Sequence, residues 1–180
     1  IRLNLIESKD RKNETSYSTV QVAIVKDMGK DWEYGKTVFH PAEHNIAWIS
    51  GHASPGPLFS KDFINVGEGK LLGVINGREA NQKIGDKIKY GMFSIGLFIY
   101  DYENGKIDWV SLEPLIVDSE AENITFASCF IETSKGEGIL YAHVDDSFVR
   151  AYTLKAEILR SILPSNFQVE LVGVLVLTRK

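Results

Sequence analysis

The sequence is poor in cysteine and histidine, and these shortages exclude two classes of site. Cys129 is the only cysteine among 180 residues, so a disulfide within the chain and a cysteine-based zinc cluster are both excluded. The four histidines are scattered without the spacing of metal ligands, and we predict no metal site. Cys129 itself, in the apolar segment 125–131, is interpreted as a small buried residue.

Basic charge and long apolar runs are also scarce. The net charge is -4 and no basic stripe with interleaved aromatic residues occurs, which argues against nucleic acid and against acidic partners. No apolar run approaches the roughly 20 residues that span a bilayer. Phosphate-loop glycine patterns and a nucleophile elbow are missing, and no cofactor is predicted.

The compartment is left open by the sequence. The chain starts at Ile1 without Met, which we interpret as a processed or truncated product. Two glycosylation-type triplets, at Asn13 and Asn123, are short enough to arise by chance. A cytoplasmic and a secreted or periplasmic location are therefore both compatible with the sequence.

What the sequence does contain is strand and turn patterns, and the clearest lies at Gly138–Lys155. Apolar residues alternate on both sides of Asp145, Asp146 and Ser147, a pattern that predicts two strands joined by a tight turn. The same stretch includes His143, which makes it the densest group of reactive side chains in the chain.

The pattern recurs, and the repeat predicts an all-β fold made of β-propeller blades. Segments 22–32 and 95–109 each combine a strand, a turn with glycine and a tryptophan. Segments 63–100 and 129–154 also match. Once the polar insertion 80–92 is set aside, the repeat has a unit of about 50 residues, counted from the start of one segment to the start of the next, which is in the range of propeller blades. We expect a single domain or propeller fragment over 1–180, with blades at about 17–60, 61–115 and 123–160 and a closing strand at 167–178.

Four local predictions complete this picture. Arg2–Ile6 is expected to be a short strand followed by an exposed loop, and Phe63–Val66 another strand. The segment Gly51–Pro57 is expected to be a rigid loop, because its prolines disfavour a helix or a central strand. Ala156–Leu163 fits either a helical turn or a strand extension.

Three segments carry a resemblance to a known family. Ile95–Glu103 with Leu112–Leu115, then Asn123–Phe126, then Ile139–Asp146 resemble in order and spacing the closing blades of glycoside hydrolase family 130 and related five-bladed β-propellers. The likeness covers roughly 50–160 and, more weakly, 17–50. It implies a site at the mouth of a central channel and the hydrolysis or phosphorolysis of mannosides and related glycosides. The proton-donating aspartate of the family belongs to an earlier blade, so no catalytic residue is assigned.

The resemblance also implies candidate ligand-binding residues on the hairpin. Asp146 aligns with an aspartate that faces the sugar in the family, and a carboxylate there can accept hydrogen bonds from sugar hydroxyls. The alternative is that Asp146 only forms the turn. His143 occupies a position where the family has glycine, so it either adds a hydrogen-bonding group to the site or has a structural role.

Three further candidates lie upstream. Asn76 and Arg78 fall where the family shows Tyr-His-Gly, with Asn76 in place of the histidine, which weakens a phosphorylase assignment. Arg78 offers a planar fork suited to an oxyanion such as inorganic phosphate, or it is an exposed loop residue. His52, in the Gly/Pro segment, either points into the channel or is exposed without a role.

Two functions follow as expectations. The first is a carbohydrate-active protein, a glycoside hydrolase or phosphorylase acting on mannoside-type ligands. The alternative is a non-catalytic propeller module that binds glycans or proteins. Incomplete blades leave open strand edges, so a partner chain or self-association is expected to cover them.

Overall fold

The predicted all-β fold is confirmed by a computed structural model, which describes residues 2–12 and 15–168. Within these residues the chain forms twelve strands and one α-helix. The strands of the first half are β1 (Arg2–Lys12), β2 (Thr15–Val25), β3 (Glu33–Phe39), β4 (His52–Leu58), β5 (Lys70–Arg78), β6 (Gln82–Ile84) and β7 (Lys87–Lys89). Those of the second half are β8 (Phe93–Asp101), β9 (Lys106–Val110), β10 (Thr125–Ser134), β11 (Glu137–Val144) and β12 (Phe148–Lys155), followed by α1 (Ala156–Ile162).

The strands form two sheets and one separate hairpin. The large sheet has the order β1-β2-β4-β5-β8-β9, with β3 also paired to β2, and it curls into a half-barrel. The second sheet has the order β10-β11-β12, and β6 pairs only with β7. Neighbours are antiparallel except β2 and β4, which meet in parallel at the single pair Ser18 and His52.

The two faces of the large sheet bury two separate hydrophobic cores. Leu72, Val74 and Leu97 face the second sheet and pack in one core with Leu140 and the α1 residue Leu159. The opposite face is covered by β1 to β3 and by the turn around Trp48; its core contains Val20, Trp48, Ile75 and Phe98. Burial on both faces explains why β5 and β8 have continuous apolar sequences rather than alternating ones.

Trp48 packs directly against the backbone of the large sheet. A Cβ atom at Gly77 or Gly96 would lie 2.4 Å from the Trp48 ring, so glycine is needed at both positions for the ring to approach. The indole N–H donates to the carbonyl of Ser111 at 3.0 Å. These contacts fix the turn that precedes β4.

The predicted hairpin at Gly138–Lys155 is present as β11 and β12. Its turn has positive φ angles at Asp145 (48°) and Asp146 (53°), and the Ser147 N–H closes it on the Val144 carbonyl at 3.0 Å. Aspartate tolerates this left-handed region better than most residues. Of the two alternatives for 156–163, the helix is correct.

Two loop predictions in the first third of the chain were wrong, whereas the strand predicted at Arg2–Ile6 is present within β1. The predicted loop after Ile6 is strand, because β1 runs to Lys12 and pairs with β2 along its whole length. The polar residues there show no alternation because this end of the ribbon is solvated. The prediction of a loop at Gly51–Pro57 is also wrong, since nearly all of these residues belong to β4, which lies between β2 and β5 in the large sheet. Pro55 and Pro57 are tolerated because β2 reaches β4 only at His52, and a bulge separates Pro55 from Leu58.

Two further predictions, one of a strand and one of a buried residue, were also wrong. Phe63–Val66 is not a strand but a loop whose Phe63, Ile64 and Val66 side chains fill the core against the second sheet. Cys129 is exposed rather than buried, because a register shift in β10 between Ala127 and Cys129 interrupts the in-out alternation. The predicted closing strand 167–178 lies outside the described residues from position 169 onwards.

Candidate functional site

A row of side chains begins on three neighbouring strands of the large sheet. His52 of β4 pairs with Arg78 of β5, and Arg78 pairs with Phe93 of β8. Directly opposed residues point to the same face of a sheet, so the three side chains lie together. The His52 and Phe93 rings meet edge to face at 4.9 Å between centroids, and the Arg78 guanidinium lies 5.6 Å above the Phe93 ring.

The row continues onto the second sheet. The Phe93 and Phe126 rings lie 6.0 Å apart, and Phe126 of β10 stacks on its cross-strand partner His143 of β11 at 5.2 Å. The Phe93 N–H donates to the carbonyl of Asn123 at 2.8 Å, which holds the two sheets together at this point. His52, Arg78, Phe93, Phe126 and His143 together are called the His/Phe row below.

A carboxylate stands at each end of the His/Phe row. Glu7 Oε2 lies 3.4 Å from His52 Nε2, and Asp146 Oδ1 lies 3.0 Å from His143 Nδ1. The Asp146 side chain is 74% exposed whereas that of His52 is 13% exposed. Because the Glu7 side chain is 31% exposed, the row is more open to solvent near Asp146 than near Glu7.

The electrostatics at the buried end favour a neutral imidazole beside an ionised carboxylate. Burial lowers the pKa of His52; the Glu7 carboxylate opposes this effect, while Lys9 and Arg78 add to it. For Glu7, burial acts to raise the pKa, but the hydrogen bond from Lys9 and the charge of His52 outweigh it and lower the pKa overall. At neutral pH His52 can therefore both donate and accept a hydrogen bond.

Three nitrogen atoms of the His/Phe row have hydrogen-bonding capacity to spare. His52 Nε2, Arg78 Nε and His143 Nδ1 are buried and have no hydrogen-bond partner within residues 2–12 and 15–168. The Glu7 and Asp146 carboxylates lie within ion-pair distance of the two histidine nitrogens. Buried polar nitrogens are normally paired, so this clustering on one row distinguishes it from the rest of the surface.

Asn76 lies beneath the row rather than on it. The side chain is fully buried, its Nδ2 donates to the Ala127 carbonyl at 3.1 Å, and its Oδ1 accepts the Ala127 N–H at 2.7 Å. Both ends of the amide are therefore used to join β5 to β10. The structure thus brings four of the five predicted residues, His52, Arg78, His143 and Asp146, to one row, and gives Asn76 a bridging position behind it.

Asp145 has the turn role expected for it and a second role as well. Its carboxylate accepts the backbone N–H groups of Glu122, Asn123 and Ile124 at 2.7 to 2.8 Å. These three donors lower the pKa of Asp145. Asp145 therefore ties the loop that precedes β10 to the β11–β12 turn, which holds Asp146 and His143 in place.

Sequence reasoning missed Glu7, Phe93 and Phe126. Each belongs to a stretch that was interpreted as loop or as ordinary strand, and their proximity arises from cross-strand register between segments far apart in sequence. The signal that points to them is the position of Phe93 and Phe126 at or near the first residue of a strand, where side chains reach the sheet rim.

Comparison with known proteins gives no assignment. No family model matches the chain, and its sequence has no significant match among curated proteins.

Among the described residues, no group of three or more acidic, histidine or cysteine side chains is arranged to hold a metal ion. None of the helices in the same part of the chain is sufficiently long and apolar to cross a membrane.

Proposed function

We propose that the chain binds carbohydrate at the His/Phe row. The observation that carries the proposal is the row itself, in which two neighbouring phenylalanine rings are flanked by an arginine and two histidines, each with one buried nitrogen that lacks a hydrogen-bond partner among the described residues. A pyranose presents apolar C–H faces and a rim of hydroxyl groups. The rings provide apolar contact area, and the nitrogen atoms provide hydrogen bonds of fixed direction.

The proposal includes a propeller of the five-bladed glycosidase type. Within the seven-stranded sheet, β4, β5, β8 and β9 form an antiparallel meander, which β2 continues beyond β4, and β10, β11 and β12 form a three-stranded meander. Four-stranded antiparallel sheets are the unit of β-propellers. The His/Phe row crosses from one meander to the next, which is where a ligand that contacts two blades would lie.

Binding is tested by titration with mannose, mannobiose and a panel of other neutral saccharides, followed by calorimetry. We expect binding to weaken about tenfold or more in Arg78→Gln and in Phe126→Leu, because each removes a central contact of the row. His143→Ala, which also removes a side chain of the row, should weaken binding too. Its matched control is His44→Ala, since His44 is exposed and stacks on Phe39, outside the row. Unchanged affinity in all row variants would remove the site, and no binding across the panel would remove the function.

A catalytic role is the second candidate, favoured by the exposed carboxylate of Asp146 beside His143. We propose hydrolysis of a mannoside, or its phosphorolysis if Arg78 binds inorganic phosphate. The assay measures release of sugar from aryl mannosides with and without phosphate, comparing wild type with Asp146→Asn. Asparagine also tolerates the positive φ at this position, so the fold is kept. Asp62→Asn, an exposed carboxylate elsewhere, is the control.

The two candidates are distinguished by turnover. If binding occurs without sugar release under either condition, the non-catalytic glycan-binding alternative is correct. If sugar is released equally by wild type and Asp146→Asn, Asp146 has no part in the reaction.

A further inference from the structure

The β6–β7 hairpin is an exposed arm that starts beside the His/Phe row. It lies between Arg78, the last residue of β5, and Phe93, the first residue of β8. Every residue from 80 to 90 is exposed, and its two strands pair only with each other in the sheet topology. An arm of this kind adds nothing to either hydrophobic core, so its residues are free to contact a ligand.

The base of the arm is fixed to the row. Asn81 Oδ1 accepts a hydrogen bond from Arg78 Nη1 at 2.8 Å and another from the Gly91 N–H at 3.4 Å. The Ala80 N–H donates to Ser50 Oγ at 2.9 Å. The arm is therefore held in a defined position relative to Arg78, even though its own strands are solvated.

The arm has a positive charge in an otherwise acidic chain. It contains Lys83, Lys87 and Lys89 against one acidic residue, Asp86, while the whole chain has a net charge of -4. None of these three ammonium groups forms an ion pair with any of the described residues. In the hairpin register, Lys87 and Lys89 lie on the same face, so their charges repel each other and do not stabilise the hairpin.

Exposed apolar groups accompany the lysines. Ile84 and Ile88 are each 60% exposed and Tyr90 is 65% exposed. Tyr90 follows Lys89 in the sequence and precedes the row residue Phe93 by three positions. This combination suits a ligand that has both sugar rings and regularly spaced negative charges.

We propose that the arm selects an acidic glycan, an oligosaccharide with uronate carboxylates, by pairing these carboxylates with Lys87 and Lys89 while neighbouring sugar units occupy the His/Phe row. Lys83, opposite Ile88 in the hairpin register, lies on the other face of the arm and takes no part. This inference rests on the proposed function, which it extends by naming the ligand class. The overall negative charge of the chain does not oppose it, because exposed charges more than about 10 Å apart are largely screened at 0.1 M salt and the local charge dominates.

The test compares two hexasaccharides with the same linkage, a mannuronate oligomer and a mannose oligomer, which differ only in the carboxylate. We expect the wild-type chain to bind the mannuronate oligomer about tenfold more tightly, since exposed ion pairs contribute up to about 1 kcal/mol each. The preference should disappear in the double variant Lys87→Gln/Lys89→Gln and at high salt. Affinity for the mannose oligomer should not change in that variant.

The matched control is Lys26→Gln/Lys30→Gln, which removes the same charge at the opposite end of β2 from the Ser18–His52 pair. It should keep the preference. Equal binding of the two hexasaccharides by wild type would overturn the inference and leave the proposed function intact. Failure of both hexasaccharides and of all neutral sugars would reject the proposed function itself. Equally tight binding of polyglutamate would overturn the sugar assignment in favour of an acidic protein.

Discussion

Replacement of Asn76 tests whether the two sheets are joined as described. In Asn76→Ala both hydrogen bonds to Ala127 are lost, and the Ala127 N–H and carbonyl remain buried without their partner. An unsatisfied buried polar group costs about 1 to 3 kcal/mol, so we expect the free energy of unfolding to fall by about 3 kcal/mol. For a chain of this size that corresponds to a decrease in melting temperature of about 6 to 12 °C.

The measurement is urea unfolding followed by tryptophan fluorescence, with Asn45→Ala as control because Asn45 is exposed. The control should stay within about 0.5 kcal/mol of wild type. A loss below about 1 kcal/mol in Asn76→Ala would mean that the amide does not bridge the sheets.

Asn76→Asp provides a second, pH-dependent readout of the same bridge. An aspartate can accept the Ala127 N–H but must be protonated to donate to the Ala127 carbonyl. Burial and this carbonyl would raise the folded-state pKa above the unfolded value of about 3.9. The variant should therefore be most stable below about pH 4 and lose stability as the pH rises towards the folded-state pKa. A stability that is flat between pH 4 and pH 7 would contradict this reasoning.

Two further predictions concern packing and the β11–β12 turn. Gly96→Ala would place a Cβ atom 2.4 Å from the Trp48 ring and should destabilise the chain by about 1 to 3 kcal/mol in the same urea assay. The control is Gly29→Ala, which should have little effect because the nearest atom to its Cβ is 4.0 Å away. Asp145→Asn keeps an acceptor but loses the charge that three N–H groups stabilise. The folded-state pKa of Asp145 is lowered. The contribution of this carboxylate to stability is therefore present above about pH 4 and is lost as the pH falls. The variant should be less stable than wild type at pH 7 and converge with it as the pH falls through the folded-state pKa of Asp145, and Asp62→Asn should show neither effect.

Much of the fold follows from local sequence patterns. The hairpin Gly138–Lys155 is predictable because its alternation and its Asp-Asp turn are both local signals. The extended segments at 71–75 and 94–100 are predictable for the same reason. Sequence prediction fails for elements whose strand neighbours lie far away in the sequence. β4 contains two prolines and is still a strand, because its neighbour β2 leaves most of one edge unpaired.

The candidate site shows the same division. Asp146 and His143 could be proposed from one short motif, since they lie three positions apart. Glu7 could not, because it reaches His52 only through the pairing of β1 with β2 and of β2 with β4. Phe93 and Phe126 resemble ordinary strand residues, and only the packing of the two sheets brings their rings to 6.0 Å.

Asn76 connects the stability of the fold to the proposed binding. It stands two residues before Arg78 on the same face of β5, and its partner Ala127 directly follows Phe126. The Asn76–Ala127 bridge therefore sets the separation between the half of the His/Phe row on the large sheet and the half on the second sheet. A ligand that contacts both halves depends on that separation, so the sequence prediction that Asn76 matters for binding is compatible with a residue that no ligand touches. Asn76 is then a positioning residue, and its replacement should weaken binding of an oligosaccharide that spans both sheets more than binding of a single sugar unit.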